Sequence, residues 1–225
     1  MPGRMLPLVD GQIYHVINRG SGSQPVFLSK RDYQRFLETF LYYQNKNLPL
    51  KYSRFLTLSS NQRQEILNEL MKKKKFLVEI LAYCLMSNHV HLLLKQVGDK
   101  GISLFMSNLT NSYTRYFNTK NERKGSLFQG KFKAVLVESD EQLLHVSRYI
   151  HLNPYTSYVV KNLKETANYP YSSFEEYLNP NLKGFCEKEI ILSNFKSGSK
   201  YKEFVFDQAD YQRRLEQLKN LQLES

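Results

Sequence analysis

The chain has few cysteines and no long hydrophobic run. Its two cysteines, Cys84 and Cys186, lie far apart and form no CxxC pair. This excludes a disulfide framework and a thiolate metal cluster, and it favours a reducing compartment. The N-terminus has no apolar signal-peptide core, and no apolar stretch is long enough to span a bilayer. We therefore expect a cytoplasmic protein without a membrane partner.

Motifs of several enzyme classes are also missing. The sequence has no Walker loop, no Rossmann glycine fingerprint and no Ser-His-Asp elbow, so nucleotide hydrolysis and acyl transfer have no support. His145 and Ser147 form half of a two-histidine phosphoesterase pattern. The other half is absent, because His91 follows His89 where such an enzyme needs Ser or Thr.

Acidic residues are outnumbered by basic ones. The 225 residues include 32 Lys and Arg against 21 Asp and Glu, a net charge of +11. Such a surplus attracts polyanions such as nucleic acid or anionic lipid. The charge alone favours a polyanionic partner over a merely soluble basic surface; if that partner is DNA, we expect the protein to be nucleoid-associated.

Basic and aromatic residues alternate between residues 112 and 135. Cations beside rings suit the phosphates and unstacked bases of a single strand or hairpin tip. A helix with core-facing aromatics gives the same pattern, and we favour that interpretation for Tyr113 and Tyr116. The predicted DNA-binding residues are Arg19, Arg115, Arg123, Lys124, Lys131 and Lys133.

Hydrophobic periodicity predicts four strands separated by helices. The order is strand, helix, strand, strand, helix, strand, which is the α+β, ferredoxin-like βαββαβ arrangement with an antiparallel sheet. We predict an inserted helix before the second strand and a helical C-terminal tail. The predicted strands are 12–18, 76–86, 89–96 and 132–138, and the predicted helices are 30–44, 61–75, 102–118, 140–151 and one or two within 201–223, with 48–60 irregular.

Ser139 begins the clearest predicted helix. The run SDEQ at 139–142 is typical of a capping box. Pro154 is expected to end the helix after about His151.

Two histidines make the first candidate site. His89 and His91 are two apart on a predicted strand, so both imidazoles project from one face and can converge on one divalent ion. The same spacing is also typical of two ordinary sheet histidines.

Tyr149 and Asn153 make the second. They lie four apart on the helix that Ser139 begins, so they share a face. Asn153 can offer an amide oxygen to a metal and Tyr149 a phenol to the same place. Packing of one of 16 tyrosines, and an Asn that ends a helix before Pro, would explain them equally well.

Five blocks in order resemble the insertion-sequence-200-like, single-tyrosine HUH transposases, and most of all the REP-associated tyrosine transposases. The match runs from about residue 11 to 176. The blocks are residues 14–20 (YHVINRG), 82–94 (AYCLMSNHVHLLL), 125–132 (GSLFQGKF), 148–154 (RYIHLNP) and 169–174 (YPYSSF).

The resemblance implies a ferredoxin-like nuclease that cuts single-stranded or hairpin DNA with Mg or Mn. His89 and His91 match the metal pair, and Tyr149 matches the nucleophile that forms a 5′-phosphotyrosine and frees a 3′-OH. Asn153 falls where relatives have a third ligand, Gln.

The resemblance also suggests a domain organisation. It implies a catalytic domain over residues 1–180 with an insertion at about 47–76, and a helical extension over 181–225. Relatives are both monomers and domain-crossed dimers, so monomer and homodimer stay open.

Two other functions stay open from the sequence. A domesticated hairpin-binding protein would keep the fold without cleavage, but it would have no use for His89, His91 and Tyr149 together. An RNA-binding module is also compatible with the fold, although the glycine-aromatic strand motif of such modules is absent.

Overall fold

A computed structural model of the chain describes residues 7–179, 181–182 and 184–215. Its elements follow the predicted order. The strands are β1 (Ile13–Arg19), β2 (Val78–Met86), β3 (His89–Gln96) and β4 (Lys133–Val137). The helices are α1 (Lys30–Tyr43), α2 (Tyr52–Phe55), α3 (Ser60–Lys73), α4 (Gly101–Lys120), α5 (Asp140–Thr156), α6 (Leu163–Ala167), α7 (Phe174–Leu178), α8 (Glu189–Leu192) and α9 (Gly198–Asp207).

The four strands form one antiparallel sheet in the order β2-β3-β1-β4. This is the strand order of a ferredoxin-like βαββαβ fold, so the predicted fold class is confirmed. The hairpin β2-β3 turns at Ser87 and Asn88, and β3 pairs along its whole length with β1. Both central strands, β3 and β1, are therefore fixed by neighbours on either side.

Each side of the sheet has its own core. Alternate residues of β3 point to opposite sides, and Val90, Leu92 and Leu94 pack under α1 and α4, on what we call the α1/α4 face. Leu93 packs with Ile150 on the other side, which we call the α5 face because α5 lies across it. His89 and His91 share the parity of Leu93, so they belong to the α5 face.

The predicted end of α5 is wrong. The helix passes through Pro154 and ends at Thr156. Proline removes a single helical N–H, whereas Ser157 N–H still donates to Asn153 O at 3.0 Å. Tyr155 and Thr156 are buried, so packing of the extra turn offsets the missing bond.

The segment predicted to be irregular contains the short helix α2. Tyr52 and Phe55 of this helix are buried against the Tyr42 ring at the end of α1. A four-residue helix has no periodicity that a sequence can reveal, and its stability comes from these ring contacts.

The C-terminal part of the chain joins the α5 face. Tyr177 lies before residue 180, and Ile191, Tyr201 and Val205 lie after it, in one buried cluster with α5. The predicted tail helix starts earlier than expected, at Gly198, and residues 209–215 are helical again; its continuation over 216–223 lies outside the described residues. The domain division near residue 180 stays a prediction. Within the described ranges, no helix combines the length and apolarity needed to cross a bilayer.

His151 connects α5 to α9 in the interior. Its Nδ1 lies 2.7 Å from the Tyr201 hydroxyl and its Nε2 lies 2.9 Å from Ser173 Oγ. The ring is fully buried, and burial lowers the pKa of His151 to about 3. It is therefore neutral in the folded protein at pH 7.

We expect His151 to make the fold acid-sensitive. Between about pH 3 and 6.5 the unfolded chain binds a proton here that the folded chain does not. Stability is therefore complete above pH 6.5 and falls by about 1.4 kcal/mol per pH unit below it for this one group. Urea unfolding at pH 7 and pH 5 should show a smaller loss in His151→Gln than in the wild type. The exposed His145→Gln on the same helix should keep the wild-type loss; equal losses in all three proteins would contradict the assignment.

Candidate active site

His89 and His91 lie side by side on the α5 face. His89 pairs across the sheet with Arg19 and Met86, and His91 pairs with Ile17 and Cys84. Their ring centroids are 4.9 Å apart. The structure thus places the two imidazoles on one side of β3, as the spacing predicts.

The turn before β3 fixes the first imidazole. Asn88 Oδ1 lies 2.6 Å from His89 Nδ1, and Asn88 Nδ2 donates to Ser23 O. Gly20 N–H donates to Asn88 O at 2.8 Å. A side chain at Gly20 would collide with the backbone oxygen of Gln24, so this close crossing of chain segments requires glycine.

A third histidine joins the pair. His15 of β1 places Nε2 at 3.0 Å from His91 Nδ1, and the two rings stack with centroids 5.2 Å apart. From the sequence alone, His15 is an ordinary residue of the first predicted strand. His15 lies beside His91 because of the register in which β1 pairs with β3. The sequence alone does not give that register.

Tyr149 approaches these rings from α5. Its ring centroid is 5.4 Å from that of His91 and 5.9 Å from that of His15, in edge-to-face geometry. The side chain is half-buried, so it is not sealed in the interior. One turn further, Asn153 is buried and lies within side-chain hydrogen-bond reach of His89. Strand and helix therefore bring the four predicted residues together.

Contacts with the C-terminal segment hold α5 in place. Arg148 stacks over the Phe204 ring at 3.8 Å, and Tyr155 OH donates to Asp210 at 2.8 Å. Together with the hydrogen bond between His151 and Tyr201, these two contacts hold the part of α5 that carries Tyr149 on both sides of that residue. Fixed aim matters for a nucleophile, because its reactivity depends on alignment with the attacked atom.

Burial makes all three imidazoles neutral at pH 7. It lowers the pKa of His15 to about 4. For His89, burial and then the Arg19 charge lower the pKa to about 4, against a bond to Asn153 that raises it. For His91, burial and then its neighbouring histidines lower the pKa well below the usual value. Neutral rings keep a lone pair that can bind a cation.

The donor set fits one open divalent-metal site. Nδ1 of His89 lies against Asn88, and Nδ1 of His91 lies against His15. Metal-binding histidines typically use one nitrogen for the ion and the other for such an outer partner, which leaves Nε2 of each ring for the ion. In the described part of the chain, no three His, Cys, Asp or Glu side chains are arranged to hold a metal. An ion would therefore need the Asn153 amide and oxygens from water or substrate as well.

The predicted DNA-binding residues fall into two groups. Exposed Arg19 and Lys133 lie on the α5 face, Arg19 beside His89 and Lys133 in the row of Ile17 and His91. Lys131 is exposed in the loop just before β4. The other three, Arg115, Arg123 and Lys124, line a groove formed by α1, the segment 43–53, α4 and the loop after α4.

The chain is similar to a family of transposases and to a solved structure of a related fold. Residues 49–153 match the family described as transposase, IS200 like, a range that includes both histidines, the tyrosine and the asparagine. No curated protein sequence matches the chain. A solved structure described as a REP-associated tyrosine transposase bound to a REP hairpin matches with a TM-score of 0.57 at 15% identity. The match covers 82% of this chain and 90% of that one, and it agrees with the fold described above.

Proposed function

We propose that the chain, whose residues 49–153 match the IS200-like transposase family, cuts and rejoins single-stranded DNA beside a hairpin, with Tyr149 as the nucleophile. The observation that carries the proposal is the edge-to-face contact of the Tyr149 ring with the rings of His91 and His15. His89 lies on the same face of the sheet, next to His91. A related fold in complex with a REP hairpin supports a hairpin substrate.

Tyr149 would start the reaction by attacking a backbone phosphorus. The phenol oxygen forms a new P–O bond and loses its proton, the bond from phosphorus to the 3′ oxygen breaks, and that oxygen leaves as a 3′-OH. The product is a 5′-phosphotyrosine, which preserves the phosphodiester bond energy for rejoining. Attack by a 3′-OH on the linkage reverses the step and needs no nucleotide cofactor.

His89, His91 and Asn153 would hold a divalent ion, Mg or Mn, which supplies charge neutralisation at the scissile phosphate. Arg19 and Lys133 flank this group on the α5 face, where they would pair with neighbouring phosphates. Lys131, just before β4, would extend that contact. The exposed cations would therefore position the DNA strand, and α5, which packs one side into the core, would position the phenol.

A single chain supplies all of these groups. Tyr149 contacts the histidines of its own chain, and α5 is fastened by the C-terminal segment of the same chain. We propose that the catalytic unit is a monomer. A site completed only in a dimer would require α5 to detach from these contacts.

The direct test is a covalent adduct. The wild-type protein is incubated with Mn²⁺ and labelled single strands that carry a hairpin, then denatured and resolved by electrophoresis. We expect a labelled protein band whose modified peptide contains Tyr149. Tight hairpin binding without any such band would instead indicate a DNA-binding protein that does not cleave.

We also expect His15 to orient His91 for metal binding. His15→Phe keeps a ring of similar size but removes the nitrogen next to His91 Nδ1. Loss of such an outer partner typically weakens metal binding by about 10–100-fold. Calorimetric titration with Mn²⁺ measures the effect. His15→Gln restores an acceptor and should recover most of the affinity, whereas a packing role would leave the metal affinity of both variants unchanged.

A further inference from the structure

A second basic surface lies on the α1/α4 face, away from the histidines. We call it the cationic groove. Four parts of the chain form its walls: α1, the segment 43–53, α4 and the loop after α4. Its basic residues are Arg31, Arg35, Lys46, Lys51, Arg115, Lys120, Arg123 and Lys124.

The convergence of these charges is not a property of one sequence run. Eight basic residues from four separate elements line the groove, and Glu122 is its single carboxylate. Unpaired like charges repel one another across such a groove, at a cost to stability that a bound polyanion would relieve. Charge accumulation of this kind is typical of a phosphate-binding surface.

Most of these cations remain available to a ligand. Among the ion pairs of the described residues, only Lys120 of this set pairs with a carboxylate, Asp32, at 2.6 Å. Asp32 is fully buried. Although its burial raises the pKa, hydrogen bonds led by that from Lys120 lower it overall, so this one pair is structural. Arg31, Lys46 and Lys51 are exposed.

The aromatic rings of the groove are already engaged. Tyr116 OH donates to Asp32, and Arg35 lies over the Tyr116 ring at 5.1 Å. Tyr43 is buried and accepts a bond from Tyr52 N–H. Sites for single strands stack bases on available rings. The groove offers phosphate contacts without stacking, which favours a double helix whose bases are already stacked.

The dimensions agree with a short duplex. The groove follows α4 from Leu104 to Lys120, a rise of about 24 Å, or roughly seven base-pair steps of 3.4 Å. Exposed polar residues, Asn108, Asn111 and Arg115, face outward along the same helix. Cations lie on both walls, where they would reach the phosphates of two strands.

We propose that the cationic groove binds the backbone of double-helical DNA, as in the stem of a hairpin, while the α5 face receives the single strand. The proposal rests on the proposed function for its DNA substrate. The segment 43–53, which overlaps the start of the insertion predicted at about 47–76, would then form one wall of the stem-binding surface.

The test compares two variants of equal charge change. The groove variant is Arg31→Gln with Lys46→Gln and Lys51→Gln. The control is Lys161→Gln with Lys164→Gln and Lys196→Gln, three exposed lysines outside the groove. Fluorescence anisotropy measures binding of a DNA hairpin with a seven-base-pair stem and of an unstructured thymidine strand, over a range of salt.

The groove variant should bind the hairpin at least about tenfold more weakly than the control does. The slope of log K against log salt should fall by about 2 to 3, at about 0.9 per lost phosphate contact. Binding of the thymidine strand should match that of the control. Equal weakening in both variants, equal loss of both ligands, or tighter binding of an RNA hairpin of the same sequence would each overturn the proposal.

The adduct assay on wild-type protein separates the two hypotheses. If the wild type forms the adduct but the groove variant binds the hairpin as tightly as the control variant, the proposal about the cationic groove is wrong and the proposed cleavage by Tyr149 stands. A groove-specific loss without an adduct supports the groove and refutes cleavage by Tyr149.

Discussion

Tyr149→Phe is expected to abolish the covalent protein–DNA adduct and to slow strand cleavage by a factor on the order of 10³ or more. The substitution removes one oxygen atom. The ring stays in its edge-to-face contacts with His91 and His15, so the site should keep its shape. Hairpin affinity should therefore change less than about twofold. Cleavage is measured by denaturing electrophoresis of a labelled strand in Mn²⁺, and affinity by anisotropy.

The matched control is Tyr158→Phe, two residues after the end of α5. Tyr158 is 50% exposed, and its ring, which lies under Arg213, stays when the hydroxyl is removed, so the change touches neither the histidines nor the hydrogen bonds that hold α5. Its adduct yield should equal that of the wild type. If Tyr149→Phe still forms the adduct, another residue is the nucleophile and the proposed mechanism is wrong.

The fold was predictable where local patterns are long. β3 is found at the predicted residues, and α1 ends one residue from its prediction. Ser139 does begin α5, since its side chain accepts from Gln142 N–H. The error at Pro154 has a physical cause: a proline predicts where a helix is weakened, but buried contacts of the next turn decide whether it ends.

The candidate site was predictable in part for a similar reason. His89 with His91, and Tyr149 with Asn153, are each close in sequence, so their shared faces follow from strand and helix periods. The meeting of those two pairs, and the arrival of His15 beside His91, depend on sheet order and on how α5 packs. Their separation in sequence leaves no periodic signal. Only the family resemblance linked the pairs before the structure did.

The predicted DNA-binding residues show the same limit. Arg115 and Lys133 belong to one basic stretch of sequence, yet Arg115 lines the groove by α4 and Lys133 lies on the α5 face. The charge count predicted a polyanion but not two separate surfaces. Lys46 and Lys51 lie outside the basic stretch. Isolated lysines form no sequence pattern, so the sequence did not predict that these two belong to a basic surface.

His89→Ala combined with His91→Ala is expected to remove metal binding and cleavage together. Loss of an outer partner alone costs about 10–100-fold in metal affinity, so loss of both imidazole ligands should bring Mn²⁺ affinity below detection. Each single variant should abolish adduct formation nearly as completely as the pair, because groups that act as a unit are not additive. Titration calorimetry with Mn²⁺ and the adduct assay measure the two effects.

The two single variants differ in what else they disturb. His91 is buried, and its removal leaves His15 without its partner, a cost of about 1–3 kcal/mol. His89 is only half-buried at the start of β3, so His89→Ala should melt close to the wild type in EDTA and is the cleaner test. His145→Ala, exposed on α5, is the control and should retain Mn²⁺ binding. If His89→Ala keeps both a normal melt and wild-type Mn²⁺ affinity, the two strand histidines do not form a metal site.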